Sequence, residues 1–496
     1  MLSFLPLSPA LSPVILATSL LFFVVYGAFR SRASYGSVAF LALFALLIIM
    51  DAAGLQFALD LGTNRLPSLV FDGLSSAATV ALCGMMLVFF ILTLGLAWPL
   101  EAALLVLFAL LGMLLMVSAD SLMAFYMGLE MQSLALYVFI ALQGRQQPAA
   151  IEAALKYFIL GALASGLMLL GMSFLYGQWG VLGYGPLQAI LVQHAAVSPA
   201  LLWTTLGAGL ILVGFLFKLS LVPFHMWTPD VYQAAPTPVV AFLSSLPKVA
   251  ATVALVRLIA GPFYPLMPDL GDMLRIIGAL SMLWGALAGL RQTSLRRLMA
   301  YSTIAQMGFV VMALSVATPE GMGSALVYVV VYAVTSLGLF ALLMRISEND
   351  LSFNDVAGLV KASPATAYLL AVFLLSLAGM PFFAGFFTKL SVFQSVLAQQ
   401  HYAVVFAAAL SSVVAMYYYL RVIKVMIFDD PATDQGVIMA NHGASLPLAV
   451  AAALFVSVFF IIPGPEMTAF AQKMMADLLP QATAPASVMT LPFEKE

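Results

Sequence analysis

Long apolar runs joined by short polar stretches fill almost the whole chain. A helix needs about 20 apolar residues to cross the hydrocarbon layer of a bilayer, and that ruler picks out about fourteen runs. They fall at 10–29, 36–55, 73–96, 98–118, 121–142, 150–176, 201–222, 237–260, 272–290, 294–316, 321–346, 364–398, 402–427 and 445–463. The runs are continuous, not alternating, which argues against a closed β-barrel. Lipid tolerates no other strand arrangement, so strands are not expected. The pattern predicts an all-α polytopic membrane protein. Met1 to Phe29 contains no Lys or Arg. It lacks the positive start of a secretory signal and reads as a retained first membrane helix.

Composition narrows the function classes. Hydrophobic residues make up 64% of the chain and charged residues 8%, with a mean hydropathy of +1.09. A soluble domain carries roughly a quarter of its residues charged, so lipid must be the solvent over most of this surface. The net charge of -2 offers no basic patch for nucleic acid. The single cysteine, Cys83, excludes an internal disulfide, a cysteine-ligated iron–sulfur cluster and a covalent haem site. His194, His225, His401 and His442 are too scattered to suggest a metal site, and no phosphate-binding or dinucleotide motif is present.

Basic residues set an orientation. With the chain starting outside, ten face the cytoplasm: Arg30, Arg32, Arg145, Arg291, Arg296, Arg297, Arg345, Lys361, Arg421 and Lys424. Five fall on the external side or at outer helix ends: Arg65, Arg257, Arg275, Lys473 and Lys495. This is the positive-inside bias, and it predicts both termini outside. The remaining four of the nineteen basic residues, Lys156, Lys218, Lys248 and Lys389, fall within spans, and Glu130 sits near the middle of the fifth.

A charge at the bilayer centre costs about 2.5–3.5 kcal/mol on insertion scales, so these five residues need a protein or water environment. Burial disfavours the charged form of an amine and a nearby carboxylate favours it. A lysine held between those effects can gain and lose a proton near neutral pH. Arginine, permanently charged, could not. Proton relay is the sharp reading. Against it, Lys218 and Lys156 lie close enough to span ends to snorkel to the interface, whereas Lys248 and Lys389 are deep. A structural ion pair of Glu130 with one lysine would explain two of the five.

An internal repeat points the same way. Gly214-Phe215-Leu216-Phe217-Lys218-Leu219-Ser220-Leu221 returns as Gly385-Phe386-Phe387-Thr388-Lys389-Leu390-Ser391-Val392, five of eight positions identical at an offset of 171. Pro223 follows the first copy and Pro381 precedes the second, so both helices should be broken. Paired broken helices are the best sequence pointer to an ion pathway. The copies belong to the seventh and twelfth runs, an odd separation, so the repeat is inverted. A chain from Lys218 on the cytoplasmic side to Lys389 on the external side can be drawn through Lys248. His225, just beyond Pro223, has a side chain suited to a shuttle or to bonding freed carbonyls. Asp230, Tyr232 and Gln233 read as structural, and Arg291 to Arg297 as a topology anchor. Tyr301, Ser302 and Gln306 suit either ordered water or helix–helix hydrogen bonds.

The segment Phe217-Lys218-Leu219-Ser220-Leu221-Val222-Pro223-Phe224-His225-Met226-Trp227-Thr228-Pro229-Asp230-Val231-Tyr232 resembles the signature of the antiporter-like subunits of respiratory complex I, the NADH:quinone oxidoreductase. Gly128-Leu129-Glu130-Met131-Gln132-Ser133-Leu134, Leu155-Lys156-Tyr157-Phe158, 295–304 and 377–386 carry the same resemblance, which covers nearly the whole chain. Within the family it is most similar to the N type. The lysine at 389 and the lack of a long lateral C-terminal helix favour that branch over the M and L types.

The resemblance implies about fourteen helices with two inverted five-helix repeats and two broken helices. It divides the chain into N-terminal helices over 1–97, a first repeat over 98–260, a second over 272–427, and a last helix with an external tail over 445–496. It also implies roles. Glu130 would pair with Lys218 and tune it, and Lys218 would take a proton from the cytoplasmic side with Lys156 assisting. His225 would help pass it to the central Lys248, and Lys389 would release it outward. The chain would hold no cofactor. FMN, iron–sulfur clusters and quinone would sit in other subunits, and its partners would be the antiporter-like and small membrane subunits of a complex in a bacterial inner membrane. Rival readings are a subunit of a multisubunit cation/proton antiporter or membrane-bound hydrogenase, and a lipid-facing scaffold whose buried charges only fix packing.

Overall fold

The computed structural model describes residues 11–29, 35–59, 64–96, 98–145, 147–194, 200–347, 350–431, 445–459 and 464–479. The expected external termini, Arg30, Arg32, His442 and Lys495 lie outside them. Apolar runs become helices because only helices satisfy their own backbone in lipid. α1 (Leu11–Phe29), α2 (Tyr35–Leu59), α3 (Gly73–Thr93), α4 (Leu100–Val117), α5 (Leu122–Gln143) and α6 (Pro148–Trp179) open the chain. After α7 (Tyr184–His194) come α8 (Ala200–Lys218), α9 (Trp227–Ala234), α10 (Thr237–Ser244) and α11 (Leu246–Ala260). α12 (Met267–Gly289), α13 (Leu295–Leu314) and α14 (Pro319–Met344) follow, then the short α15 (Leu359–Ala362). α16 (Pro364–Ala378), α17 (Ala384–Leu397), α18 (Tyr402–Ile427), α19 (Ser445–Leu454) and α20 (Gly464–Leu478) end it. Among the described residues nine helical segments are long and apolar enough to cross a membrane, with shorter apolar pieces beside them.

Helices pack closely where small residues face each other, as expected in lipid. At the crossing of α4 and α5, a Cβ on Gly112 would lie 2.6 Å from backbone atoms of both Gln132 and Gly128. The centre is held by α10–α11, whose residues are all buried, and by α13 and α14, which are nearly so. More exposed helices such as α6 and α18 lie outside them.

Three details correct the sequence reading. Strands do occur: Asn64–Leu66 pairs antiparallel with Leu69–Phe71 in the polar joint between α2 and α3. A two-stranded hairpin in such a joint is not bound by the rule for spanning segments. The segment after 463, expected as tail, contains α20. Its Met467, Phe470, Ala471 and Met474 recur at helical spacing and meet Leu326, Val327 and Val330 of α14. Arg257, expected as an outer topology residue, is buried in a bidentate pair with Asp72, at 2.8 and 2.9 Å.

Candidate functional site

Helix breaks build the site. α8 ends at Lys218, and the chain turns through Ser220, in the left-handed region at φ 64°, and Pro223 before α9 resumes. Trp227 at the start of α9 donates its indole N–H to the Phe217 carbonyl (3.0 Å), pinning the turn. α16 ends at Gly379 with φ 83°, and α17 starts after Pro381. A third break separates α10 from α11 at Ser245, four residues before Val249 and two before Pro247. Pro247 has no N–H for the Leu243 carbonyl, so the ladder stops there.

The three lysines gather at these breaks, and none snorkels: Lys218 is 2% exposed, Lys248 0% and Lys389 6%. Lys218 Nζ donates to Ser133 Oγ (3.0 Å) and Tyr157 Oη (3.1 Å). Lys248 Nζ donates to the Lys218 carbonyl (2.6 Å) and to Ser220 Oγ (2.5 Å), so the second lysine caps the helix that ends in the first. Lys389 Nζ donates to the carbonyls of Leu377 (3.0 Å) and Ala378 (3.1 Å), the last of α16. Helix C-termini carry partial negative charge, which favours an ammonium there. Each amine also lies over an aromatic face: Lys218 over Tyr157, Lys248 over Trp227 and Lys389 over Phe309, at 5.6, 5.1 and 5.0 Å from the ring centres. Cation–π attraction acts in the same sense.

The other expected residues are placed differently. Glu130 is half-buried and accepts from Ser165 Oγ, while Lys218 bonds Ser133, one turn along α5. No ion pair joins Glu130 to Lys218 among the described residues. Lys156 is not at the buried cluster. Its side chain is 46% exposed and ion-paired to Glu152 (2.9 Å) and Asp230 (3.0 Å). Asp230 also binds Arg297 (2.9 Å). Glu152, Lys156 and Asp230, with Gln147, Gln233, Arg296 and Asp350, line an open polar cavity of about 550 Å³. Arg291 to Arg297 is thus more than an anchor, since Arg296 is buried and pairs with Asp350 at 3.6 Å. The His225 ring lies in the break beside the Pro223 backbone and edge-on to Trp284, hydrogen-bonded to neither lysine.

The chain as a whole has relatives. The profile of the family described as NADH:quinone oxidoreductase/Mrp antiporter, TM, matches residues 119–415. NADH-quinone oxidoreductase subunit N of Rhodospirillum rubrum is 40% identical over 475 residues, covering 92% of this chain and 94% of that protein. The chain belongs to the NADH-quinone oxidoreductase subunit N family. Its relative in Parvibaculum lavamentivorans is 37% identical over 95% of this chain and 98% of its own. A chain of the respiratory complex I from Thermus thermophilus with bound aureothin superposes with a TM-score of 0.80 at 30% identity, over 92% of this chain and 98% of that one. A chain of the Mrp complex from Dietzia sp. shares the fold, with a TM-score of 0.82 at 21% identity over 95% and 97%.

In this subunit N chain several site residues escaped the sequence reading. Tyr157 was passed over for its neighbour Lys156. The signal lay in the buried stripe Ala150, Ala153, Ala154, Tyr157, Gly161, Ala164, which turns Tyr157 inward and Lys156 away. Around Lys389, Tyr328 and Tyr419 were missed: Gln306, already singled out as a helix–helix bonding residue, donates to the same Leu377 carbonyl (3.0 Å), accepts from Tyr328 and reaches Tyr419 Oη (3.3 Å). Gly379 has a specific task. A Cβ there would lie 3.0 Å from Lys389 Cδ and 3.3 Å from Nζ, in a backbone conformation that disfavours side chains. Gly379→Ala is expected to cost about 1 kcal/mol of stability and to impair proton transport by displacing the amine. Thermal denaturation and vesicle pumping, measured together, check this.

Proposed function

We propose that this chain carries protons across a bacterial inner membrane, from cytoplasm to outside, as the N subunit of a respiratory NADH:quinone oxidoreductase. The observation that carries the reading is the set of three amines buried at helix breaks, joined in the first half by the Lys248–Lys218 carbonyl contact. The polar cavity at Lys156 and Asp230 serves as the cytoplasmic mouth. Tyr157, stacked on Trp227 and bonded to Lys218, leads inward. Glu130 tunes Lys218 by charge, and His225 lends a shuttle at the break. Neighbouring ammonium groups repel, so reloading Lys218 from the cytoplasmic side drives the proton on Lys248 onward. Lys389 passes the proton on to the external side.

Moving one charge against 100 mV costs about 2.3 kcal/mol. The reading therefore assigns the driving reaction, with its FMN, iron–sulfur clusters and quinone, to other subunits of the complex, including its antiporter-like and small membrane subunits. Co-purification with flavin- and cluster-containing chains tests that assignment. The transport step is tested in inverted vesicles holding the assembled complex. Lys389→Ala is expected to abolish NADH-driven proton uptake attributable to this subunit, and uptake equal to the parent would overturn the relay.

A further inference from the structure

The lysine relay leaves a gap between Lys248 in α11 and Lys389 in α17, and no titratable side chain of the relay stands in it. What the structure places there is a face of α14. Tyr328, Tyr332 and Ser336 recur at every fourth position, all buried, on a helix otherwise rich in Val, Leu and Ala. We propose that the Tyr328–Tyr332–Ser336 face of α14 is the proton bridge between the two halves. The proposal rests on the transport reading above.

The contacts form a sequence. At the Lys248 end, Ser336 Oγ donates to Ser244 Oγ (2.9 Å), the last residue of α10 before the break that starts Lys248's helix. Tyr332, one turn back on the same buried face, donates to Thr303 Oγ1 (2.8 Å). Tyr232, in α9 beyond Trp227, is 0% exposed, with its hydroxyl beside Thr303 and Tyr332 and no hydrogen bond of good geometry. A buried hydroxyl left in that state costs about 1–3 kcal/mol. Its position beside a second hydroxyl chain suits a group that makes and breaks its bond in turn.

At the Lys389 end, Tyr328 and Tyr332 line a small cavity of about 10 Å³ together with Gln306, Ser376, Thr388 and Lys389. That is room for about one water, with more than the two to four polar partners a buried water needs. The bridge works by exchange. Each hydroxyl accepts a proton on oxygen as it gives up its own, and reorientation resets it. The sum is one proton lost by the Lys248 ammonium and one gained by the Lys389 amine, with no electron transferred. Phenylalanine at 328 or 332 would pack as well but could not exchange.

The test compares Tyr332→Phe, Ser336→Ala and Ser336→Thr with Lys389→Ala in inverted vesicles of the assembled complex. Tyr332→Phe and Ser336→Ala are expected to lower NADH-driven proton uptake to the level of Lys389→Ala, with unfolding temperatures near the parent's. Ser336→Thr, which returns the hydroxyl, is expected to recover uptake over Ser336→Ala. Should Tyr332→Phe and Ser336→Ala both pump like the parent while Lys389→Ala does not, the bridge is wrong and the lysine relay stands. Should Ser336→Thr fail as Ser336→Ala does, the serine acts through packing and the bridge is likewise wrong. Parent-like pumping by Lys389→Ala would remove the relay and the bridge together.

Discussion

Lys248→Ala is expected to cut proton translocation through this subunit by about a hundredfold or more, the scale on which positioned proton-transfer groups act. Lys248 is wholly enclosed and bonds the Lys218 carbonyl and Ser220 Oγ, so no solvent proton can take its place. Loss in the alanine variant alone would also follow from a scaffold role, because two acceptors lose their donor. Lys248→Arg separates the two. A guanidinium supplies the same charge and more donors, and does not give up its proton. A scaffold would accept it, whereas a relay would stop. Arginine that assembles and pumps like the parent would therefore remove Lys248 from the pathway. Arginine that assembles and fails would show that exchange, not charge, is the property used.

How deep a residue lies was legible from the sequence; which way it faces was not. Distance from the ends of an apolar run gave the depth of Lys248 and Lys389 but left Lys218 within reach of the interface, and all three are buried. Lys156 sits in an equally apolar run, yet neighbours on a helix point about 100° apart, and its side chain reaches the polar cavity. Only the small-residue stripe of α6 could have told Lys156 from Tyr157. The breaks at Pro223 and Pro381 were legible because a proline stands inside each repeated copy's neighbourhood. The break at Ser245 was announced by Pro247 but hidden by an unbroken apolar run. Hydroxyls gave the weakest signal. Tyr328, Tyr332 and Ser336 look like ordinary helix residues until the structure sets Thr303, Gln306 and Ser244 opposite them.

Asp72→Ala is expected to destabilise the protein by about 3–5 kcal/mol, the largest stability effect anticipated here, because it leaves a buried guanidinium without its partner. Asp72 caps α3, accepting from the Ser75 N–H (2.9 Å), and grips Arg257 of α11 with both oxygens. Arg257 also donates to the Val117 carbonyl (3.2 Å), so the pair ties the ends of α3 and α4 to the helix that carries Lys248. Burial alone would raise the Asp72 pKa, but the Arg257 charge and the bonds from Arg257 and Ser75 outweigh it and hold the carboxyl below its ordinary value. A depressed folded pKa means that the stabilisation is complete above the unfolded value, about 3.9. It is lost as the pH falls through the folded one. The parent should therefore lose stability in acid below about pH 4, and Asp72→Ala should show less of that loss because its carboxyl is already gone. Asp72→Leu with Arg257→Met, which removes both charges, is expected to recover most of the single-variant deficit. Thermal unfolding in detergent at neutral and acid pH measures all three. A single variant as stable as the parent would mean that Arg257 finds water or another acceptor, and that the clamp on the Lys248 helix lies elsewhere.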